Sequence, residues 1–318
     1  FIKLMNDIMY SIVTPVFNEE ENIAEFYNRL LAVMNELEQS YEIIFVNDGS
    51  NDRSMELLLT LRESDKKIKV IDFSRNFGHQ MAISSGINYS KGSAVIVLDS
   101  DLQDPPEFIP ELIKEYKEGY DVVYAVRKER KEGLLKRTAY SSFYRLFNKI
   151  SHTEIPLDTG DFCIMDEHVV KQLNLMTERH RFVRGIRSWV GFKQKGLEYE
   201  RDKRHAGSSK YTYIKLFKLA FDGIFSLSYM PLRISFYLGL FVSSFSFLAI
   251  FLVLYLKLFT DIVVKGIATP TIFVLFLGGI QLISIGLIGE YIGRIYDEVK
   301  HRPLYIVKQL IGFEKDRD

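Results

Sequence analysis

The stretch VIVLDSDLQDPPE, residues 95–107, places two carboxylates directly after four apolar residues. Side chains of an extended chain alternate between its two sides, so Asp99 and Asp101 share one side. Two carboxylates at this spacing repel each other unless a positive group lies between them. A hard divalent cation such as Mg²⁺ or Mn²⁺ fits, because it takes one or two carboxylates together with phosphate oxygens and water. The pair therefore points to a metal site for diphosphate chemistry, in which a cation offsets charge on the leaving group.

Short apolar runs alternate with helical patterns along the first part of the chain. The runs that are typical of strands are residues 11–16, 41–47, 68–73, 94–98 and 121–125. Apolar residues recur with the helical period in residues 20–39, 54–66, 77–90 and 107–118. This rhythm predicts βαβ units and a mostly parallel sheet, whose ligands lie beyond the carboxyl ends of the strands.

Polar residues follow all five predicted strands, in TPVFNEEENI, NDGSND, SRNFGH, DSDLQD and VRKER. Each could be turn chemistry by itself, as in Asp48-Gly49-Ser50. Because parallel strands end at one edge of a sheet, the five together favour one shared site. The sequence has neither a G-x-G-x-x-G after a strand nor a G-x-x-x-x-G-K-[ST], which excludes a dinucleotide fingerprint and a P-loop.

The pattern is less regular between residues 140 and 204, where LDTGDFCIMD stands out. Taken alone, Asp161 is as consistent with a helix N-cap as with a functional carboxylate. His79 and His205 lie near these loops, and we interpret both as polar loop residues. Cys163 is the only cysteine, which excludes an internal disulfide and fits a reducing compartment.

Residues 234–256 and 267–289 contain no charged side chain. As helices they would each reach ~34 Å, enough to cross ~30 Å of hydrocarbon. The alternative of two hydrophobic core helices is disfavoured, because charged residues appear only at the flanks. We therefore predict two transmembrane helices. With 41 basic and 41 acidic residues, the net charge by itself indicates no partner.

The link between the two spans, residues 257–266, is too short for a domain, so both long ends lie on one side of the membrane. Basic residues flank the spans on that side at Lys210, Lys215, Lys218, Arg233, Arg294, Lys300, Arg302 and Lys308. The positive-inside rule then places the N-terminal part and the tail in the cytoplasm. No cleavable signal peptide is recognised at the start, FIKL, which could be foreign to the protein.

Residues 211–232 combine basic side chains with an amphipathic pattern directly before the first span. We predict an interfacial helix there; the alternative is a helix packed in the soluble core. The predicted division is a catalytic domain in residues 1–210, the interfacial region in 211–232, two transmembrane helices in 233–290 and a cytoplasmic tail in 291–318.

The motifs also carry a family resemblance. They are TPVFNEEENI, VNDGSNDRS, RNFGHQMAISSGINYSKG, LDSDLQDPPE, DTGDFCIMD and GSSKY, in this order over nearly the whole chain. Together they resemble the family 2 glycosyltransferases, whose α/β fold is the Rossmann-like GT-A fold. More narrowly, the chain resembles the polyisoprenyl-phosphate glycosyltransferases, which include dolichol-phosphate mannose synthase. The C-terminal GEYIGRIYDEVKHRPLYIV is similar to the bacterial GtrB-type undecaprenyl-phosphate glucosyltransferases.

The resemblance implies a nucleotide-sugar site formed by Pro15, Phe17, Asn18, Glu19, Asp48, Asp99 and Gln103. In it, Asp48 reads the base and Gln103 contacts the donor or its metal-bound phosphate. Asp101 is the direct metal ligand, with Asp99 nearer the ribose or base. The catalytic positions are Asp161, Asp101 and Arg127. The lipid-phosphate positions are Arg127, Arg204, Ser209 and Lys210, to which the basic run VRKERKEGLLKR adds Arg130 and Arg137.

A lipid phosphate needs little help to become a nucleophile, because its second pKa of ~6 leaves it largely ionised at neutral pH. Holding this anion beside a diphosphate is the harder task, and cations must do it. We therefore interpret Asp161 as a residue that orients the acceptor or a cation, with a role as general base left open. A single displacement that inverts the sugar is expected, since a second carboxylate to act as nucleophile is not evident.

The expected activity is transfer of one sugar, glucose from UDP-glucose, to undecaprenyl phosphate at the inner membrane. GDP-mannose or a UDP-amino sugar remains an alternative donor. The resemblance implies a homotetramer, and no nucleic acid partner is expected. Two other classes are weaker. A processive polysaccharide synthase would carry Q-x-x-R-W, which is absent around Trp189. A silent scaffold or flippase partner would not need the full acidic set, and both spans lack the charged residues typical of transporters.

Overall fold

The computed structural model describes residues 8–128, 159–179, 181–200, 230–259 and 268–313. These residues form two compact units. The sheet unit contains the described residues up to 200 and, later in the sequence, residues 302–313. The hairpin unit contains residues 230–259 and 268–301.

The sheet unit contains eight strands among its described residues. They are β1 Tyr10–Val16, β2 Tyr41–Asn47, β3 Ile68–Phe73, β4 Ala94–Val97, β5 Val122–Arg127, β6 Thr159–Asp166, β7 Gln194–Tyr199 and β8 Val307–Ile311. Their order in the sheet is β7-β5-β6-β4-β1-β2-β3-β8. The helices are α1 Ile23–Glu36, α2 Ser54–Ser64, α3 His79–Tyr89, α4 Ile109–Lys117, α5 Glu167–Leu175 and α6 Val183–Trp189, with a 3₁₀ turn at Pro106–Phe108.

The predicted α/β fold is confirmed, and the five predicted strands correspond to β1–β5. Pairings β1-β2, β1-β4, β2-β3 and β5-β7 are parallel. Strand β6 runs antiparallel between β4 and β5, and β8 runs antiparallel to β3, so the sheet is mixed. Because β5 is antiparallel to β6, it is parallel to β4 and ends at the same edge.

Both faces of the sheet are covered, which explains why its inner strands are buried along their whole length. All seven residues of β1 and of β2 are buried. On one face Ile12 and Phe45 pack with α1 residues such as Phe26 and Leu30. On the other face Val13 packs with residues that include Ile83 of α3. This three-layer core fixes the strand ends that carry the polar loops.

The hairpin unit consists of α7 Met230–Phe259 and α8 Ala268–Val299, with 30 and 32 residues. Ser235 Oγ and Ser284 Oγ hydrogen-bond between them at 2.7 Å. Large apolar side chains lie on its surface; Phe241, for example, is 69% exposed. Within the described residues, one stretch, Phe276–Val299, is long and apolar enough to cross a membrane.

Both sequence stretches predicted to span the membrane fall within the described helices, except for Ile267. That each helix crosses a bilayer stays a prediction, as does the division into domains. The predicted interfacial region 211–232 lies outside the described residues apart from Met230–Leu232, which begin α7.

Helix α3 lies so close to β1 that the contact requires a glycine. A Cβ placed on Gly86 would lie 2.2 Å from Cγ1 of Val13. We expect Gly86→Ala to lower the free energy of unfolding by about 1–3 kcal/mol through overpacking. Thermal unfolding of Gly86→Ala, Val13→Ala and the double variant measures the coupling. The double variant should lose less than the sum of the two single losses, and strict additivity would contradict the contact.

Candidate active site

Two carboxylates face each other where β4 and β6 meet. Val97, the last residue of β4, is paired with Cys163 in antiparallel register, so two residues past the end of the strand the chain reaches Asp99 opposite Asp161. A strand that ran parallel to β4 would have begun at the far edge of the sheet. The reversed direction of β6 therefore brings its first residues to the edge where the other strands end.

The Asp161 carboxylate is buried and accepts four hydrogen bonds. Arg184 of α6 donates from Nε to Oδ1 at 2.8 Å and from Nη2 to Oδ2 at 2.9 Å. His79 Nε2 lies 3.2 Å from Oδ2, and Gln80 Nε2 lies 3.3 Å from the same atom. Arg184 also donates from Nη1 to the Thr159 carbonyl at 3.0 Å. Helices α3 and α6 thus deliver donors to one carboxylate.

Charge balance at this carboxylate decides its protonation. Burial alone would raise the pKa of Asp161, but Arg184 and His79 hold that pKa well below its usual range. Burial would lower the pKa of His79, yet Asp99 and Asp161 raise it to about 9, so the ring is a cation at neutral pH. Asp161 is thus an ionised hydrogen-bond acceptor and a poor proton acceptor.

The pKa of Asp99 shifts in the opposite direction from that of Asp161. Burial and the neighbouring carboxylates raise its pKa to about 6, against the lowering effect of His79. Its Oδ1 is buried without a hydrogen-bond partner in the described part of the chain, with His79 Nε2 3.5 Å away. A buried carboxylate oxygen that accepts no hydrogen bond and lies beside other carboxylates is one that a hard cation would stabilise.

The segment after Asp99 is held by local contacts. Ser100 Oγ donates to the Pro15 carbonyl at 3.0 Å, which ties the ends of β4 and β1 together. Asp101 Oδ1 accepts from the Gln103 N–H at 3.1 Å, and Leu102 adopts a φ of +60°. Among the described residues no group of three His, Cys, Asp or Glu forms a complete metal cage. A site of one or two carboxylates completed by phosphate oxygens, as Mg²⁺ prefers, fits Asp99 and Asp101.

The loops after β1 and β2 are fastened to each other. Asn18, with a φ of +54°, donates its N–H to Ser50 Oγ at 3.0 Å and accepts from the Asn51 N–H at 2.8 Å. Glu19 donates its N–H to Ser54 Oγ at 2.9 Å. The predicted donor positions Asn18 and Glu19 therefore sit on a loop that the β2 loop supports.

Asp48 joins the β2 loop to the loop after β3. Its buried carboxylate accepts from the Phe77 N–H at 2.7 Å and from the Gly78 N–H at 3.0 Å. Burial raises the pKa of Asp48, and these two N–H groups act against that rise. Gly49 has a φ of +67°, and a Cβ there would lie 2.5 Å from the Arg75 carbonyl carbon. Asp48 thus holds a loop, and its predicted role in reading the base stays a prediction.

Arg127 lies at the end of β5, beside the first residues of β6. Its Nη2 would lie 3.2 Å from a Cβ on Gly160, and it is 4.0 Å from Asp104 Oδ2. The fully buried Asp104 also accepts a hydrogen bond from the Tyr199 hydroxyl. Arg127 therefore lies beside the start of β6 and is paired with Asp104 from the segment that follows β4.

The predicted site residues with described positions are Pro15, Phe17, Asn18, Glu19, Asp48, Asp99, Asp101, Gln103, Arg127 and Asp161, and all lie at or just beyond this edge of the sheet. Arg130, Arg137, Arg204, Ser209 and Lys210 lie outside the described residues. The N-cap alternative for Asp161 is wrong, because Asp161 lies inside β6. The N-cap of α5 is Asp166, whose side chain accepts from the His168 N–H at 3.1 Å.

Sequence reasoning missed four members of this site: His79, Gln80, Asp104 and Arg184. Our interpretation of His79 as a polar loop residue overlooked its place at the start of α3, directly against Asp161. Gln80 and Asp104 stood inside quoted motifs without a role. Arg184 gave no signal, because RFVRGIRSW offers several arginines and nothing in the sequence indicates which one faces β6.

The Arg184–Asp161 pair should dominate the local stability of the site. We expect Arg184→Met to destabilise the sheet unit by about 3–5 kcal/mol, because it leaves a buried carboxylate short of its main partner. Thermal unfolding of the full chain in detergent measures the loss. Adding Asp161→Asn to Arg184→Met should restore much of the stability but not turnover. An Arg184→Met chain as stable as wild type would contradict the described pairing.

Comparison with known proteins identifies the family of the chain. Models of two families match, Glycosyl transferase family 2 over residues 11–174 and the GtrB C-terminal hairpin over residues 230–295. "Uncharacterized glycosyltransferase YkcC" of Bacillus subtilis (strain 168) is 51% identical over 98% of this chain and 96% of its own length. The bactoprenol glucosyl transferase of Shigella phage SfV is 46% identical, over 94% of this chain and 97% of its own length.

A third relative, the "Prophage bactoprenol glucosyl transferase homolog" of Escherichia coli (strain K12), is 44% identical over 94% of this chain and 98% of its own length. Among solved structures, mannosyl-3-phosphoglycerate synthase from Rubrobacter xylanophilus superposes with a TM-score of 0.47 at 15% identity, over 68% of this chain and 72% of that one, a likeness too weak to add to the sequence matches. The chain therefore belongs to glycosyl transferase family 2, and it carries that family's catalytic domain together with a GtrB C-terminal hairpin.

Proposed function

We propose that this glycosyltransferase moves a single glucose from UDP-glucose to undecaprenyl phosphate, with inversion at the anomeric carbon. The observation that carries the proposal is the 44–46% identity to bactoprenol glucosyl transferases over both the catalytic domain and the hairpin. A hairpin with a large exposed apolar surface suits an enzyme whose acceptor stays in a bilayer. We place the sheet unit on the cytoplasmic face of the inner membrane and both hairpin helices in the bilayer.

The donor side of the proposed site is built from the loops after β1, β2 and β4. The nucleotide would lie on the fastened Asn18–Glu19 loop, with Asp48 at its base end. Asp99 and Asp101 would hold Mg²⁺ or Mn²⁺, which when bound neutralises charge on the diphosphate as its bond to the sugar breaks. Gln103, whose N–H donates to Asp101 Oδ1 in the same turn, would contact the donor phosphates.

The acceptor side needs cations more than it needs a base. An ionised lipid phosphate attacks without losing a proton, and an Asp161 carboxylate with a depressed pKa is a poor proton acceptor. We propose that Asp161 positions Arg184 and His79, so that a cationic surface stands beside the donor carboxylates. Orientation of two anions in this way is a large part of what such a site can contribute.

Arg127 is proposed to share the acceptor phosphate with Arg184, because both lie against the start of β6. One reaches the Thr159 carbonyl and the other packs beside Gly160. Arg130, Arg137, Arg204, Ser209 and Lys210 stay proposed contacts from the resemblance. A homotetramer likewise stays an expectation from the family.

Transfer can be tested with the full chain purified in detergent. We expect it to release UDP from UDP-glucose when undecaprenyl phosphate is present and to yield one hexose per lipid. EDTA should stop turnover, and added Mg²⁺ or Mn²⁺ should restore it. Asp101→Asn should retain less than a few per cent of activity, whereas Glu56→Gln, at an exposed acid of α2, should match wild type.

The outcomes separate the alternatives. Polymer would indicate a processive synthase, and a preference for GDP-mannose or a UDP-amino sugar in a donor panel would replace glucose. UDP release that is absent with every donor would support a silent scaffold. Activity that survives in Asp101→Asn would overturn the assignment of the D-x-D pair.

Arg127 provides a test of the acceptor side. Loss of a charge-assisted phosphate contact should make Arg127→Ala raise the KM for undecaprenyl phosphate roughly tenfold, with a smaller change in the KM for UDP-glucose. Tyr199→Phe is the matched control, because it removes the hydroxyl that contacts Asp104 and Arg127 but keeps the positive charge. Steady-state kinetics with each substrate varied measures both constants. If Arg127→Ala raised the KM for undecaprenyl phosphate and the KM for UDP-glucose equally, the acceptor role would be contradicted.

A further inference from the structure

Residues 302–313, here the return segment, bring the chain back from the hairpin unit to the sheet unit. They contain β8, which extends the sheet by pairing with β3, and Ile306, whose carbonyl accepts from the Ser74 N–H at 3.0 Å. This segment lies beyond the residues matched by either family model. Its contacts lead directly to the loops of the donor side.

The pairing of β8 with β3 contains a bulge at Lys308. Asp72 is opposite Gln309 and Phe73 is opposite Val307, so Lys308 is the extra residue on its strand. A bulge redirects the side chain of its extra residue. Lys308 Nζ lies 3.2 Å from Asp72 Oδ2, and the Asp72 side chain is only 6% exposed.

A chain of polar contacts continues from Asp72 to the donor loops. Asn47 Nδ2 donates to Asp72 Oδ1 at 2.7 Å, and Asn47 Oδ1 accepts from the Ser50 N–H at 3.2 Å. Ser50 Oγ in turn accepts the Asn18 N–H at 3.0 Å. Asn47 and Asp72 are both buried. We name these five residues, Lys308, Asp72, Asn47, Ser50 and Asn18, the polar relay.

Aromatic contacts form a second connection from the return segment. Tyr305 stacks on Phe73 with ring centroids 5.1 Å apart, and Phe73 meets Phe77 edge to face at 5.6 Å. The Phe77 N–H makes the shortest hydrogen bond that the Asp48 carboxylate accepts, at 2.7 Å. The return segment therefore supports the loop after β3 as well as the loops after β1 and β2.

We infer that the return segment positions the donor site, and that Lys308 is a positioning residue for nucleotide binding through the polar relay. If the return segment served stability alone, the backbone pairing of β8 with β3 would be enough. The bulge instead turns a cation onto a buried carboxylate whose other oxygen orients Asn47. When that cation is removed, the Asp72 carboxylate loses a partner. We expect Asn47 and the turn at Ser50 to shift in response. This inference rests on the proposed function, in which these loops bind the nucleoside diphosphate.

Lys171 of α5 offers a closely matched control. Its Nζ lies 3.3 Å from Glu167, and its side chain is 67% exposed, against 68% for Lys308. The two lysines differ in their partners, because the Glu167 side chain is 32% exposed, whereas Asp72 is buried and accepts a hydrogen bond from Asn47. Lys171→Met therefore removes an equivalent surface cation without reaching the donor site.

The test is calorimetric binding of UDP, with Mg²⁺ or Mn²⁺ present, to the full chain in detergent. Lys308→Met should raise the Kd for UDP roughly three- to tenfold, and Lys308→Arg should restore it, because it supplies a cation at the same place. The KM for undecaprenyl phosphate should stay as in wild type, and Lys171→Met should bind UDP as wild type does. A merely structural role for Lys308 would lower the unfolding temperature and leave the Kd of the folded protein unchanged.

Failure of this inference can be told from failure of the proposed function. Wild-type chain that binds no UDP would overturn both, since the donor loops would then lack their ligand. Wild-type chain that binds UDP with the same Kd as Lys308→Met would overturn the positioning role alone. A Lys171→Met chain that loses as much affinity as Lys308→Met would also overturn it, because the loss would then follow from removal of any exposed cation.

Discussion

Asp99 and Asp161 stand across from each other where β4 ends and β6 begins, and Asp101 and Asp104 follow within five residues of Asp99. Like charges this close raise the cost of keeping every carboxylate ionised in a partly buried place. The rest of the sheet unit is arranged around that repulsion. Helix α6 brings Arg184, helix α3 begins with His79, and β5 ends in Arg127. Each of these elements contributes a cation to the site as well as buried apolar residues to the core.

The distribution of cations divides the site into two halves. Asp161 is saturated by Arg184, His79 and Gln80, so its negative charge is fully used within the protein. Asp99 keeps a buried oxygen that accepts no hydrogen bond in the described part of the chain, and its pKa is raised, so a metal cation would stabilise its ionised form. In the proposed reaction, the cationic half would hold the lipid phosphate, and the half that still needs positive charge would hold the metal and the diphosphate beside it.

Much of this could be predicted from the sequence, because β1–β5 are short, mainly apolar runs and the polar loops that follow them carry compact motifs. The boundaries of β2 and β3 agree to the residue. Strand β6 could not be predicted in the same way, since Gly160 and Asp161 stand where an apolar start would be expected and the pattern TGD imitates a helix cap. Strand β7, QKGLEY, contains mostly polar residues and a glycine, Gly196, so it lacks the apolar pattern of a strand. Strand β8 follows the hairpin in the sequence, and nothing in VKQLI indicates that it pairs with β3.

The site was predictable where chemistry is concentrated in short motifs and unpredictable where it depends on long-range pairing. Asp99, Asp101 and Asp161 stand out by type and spacing alone. Arg184 depends on how α6 packs on β6, and the distinction between Arg184 and Arg187, one at the site and the other buried, exists only in three dimensions. Asp48 is the intermediate case, because its motif is legible but its two backbone donors come from a loop thirty residues away.

The late position of β8 has a consequence for synthesis of the protein. Strand β3 is made long before its neighbour, and residues 74–306 take roughly 10–50 s to translate at about 5–20 residues per second. During that interval the outer backbone groups of β3 lack the strand that covers them in the finished protein, and such an edge is a template for pairing with another nascent chain. Completion of the catalytic sheet thus waits for the hairpin to be made, so the nascent enzyme acquires its last strand only after the segment that we propose anchors it to the membrane.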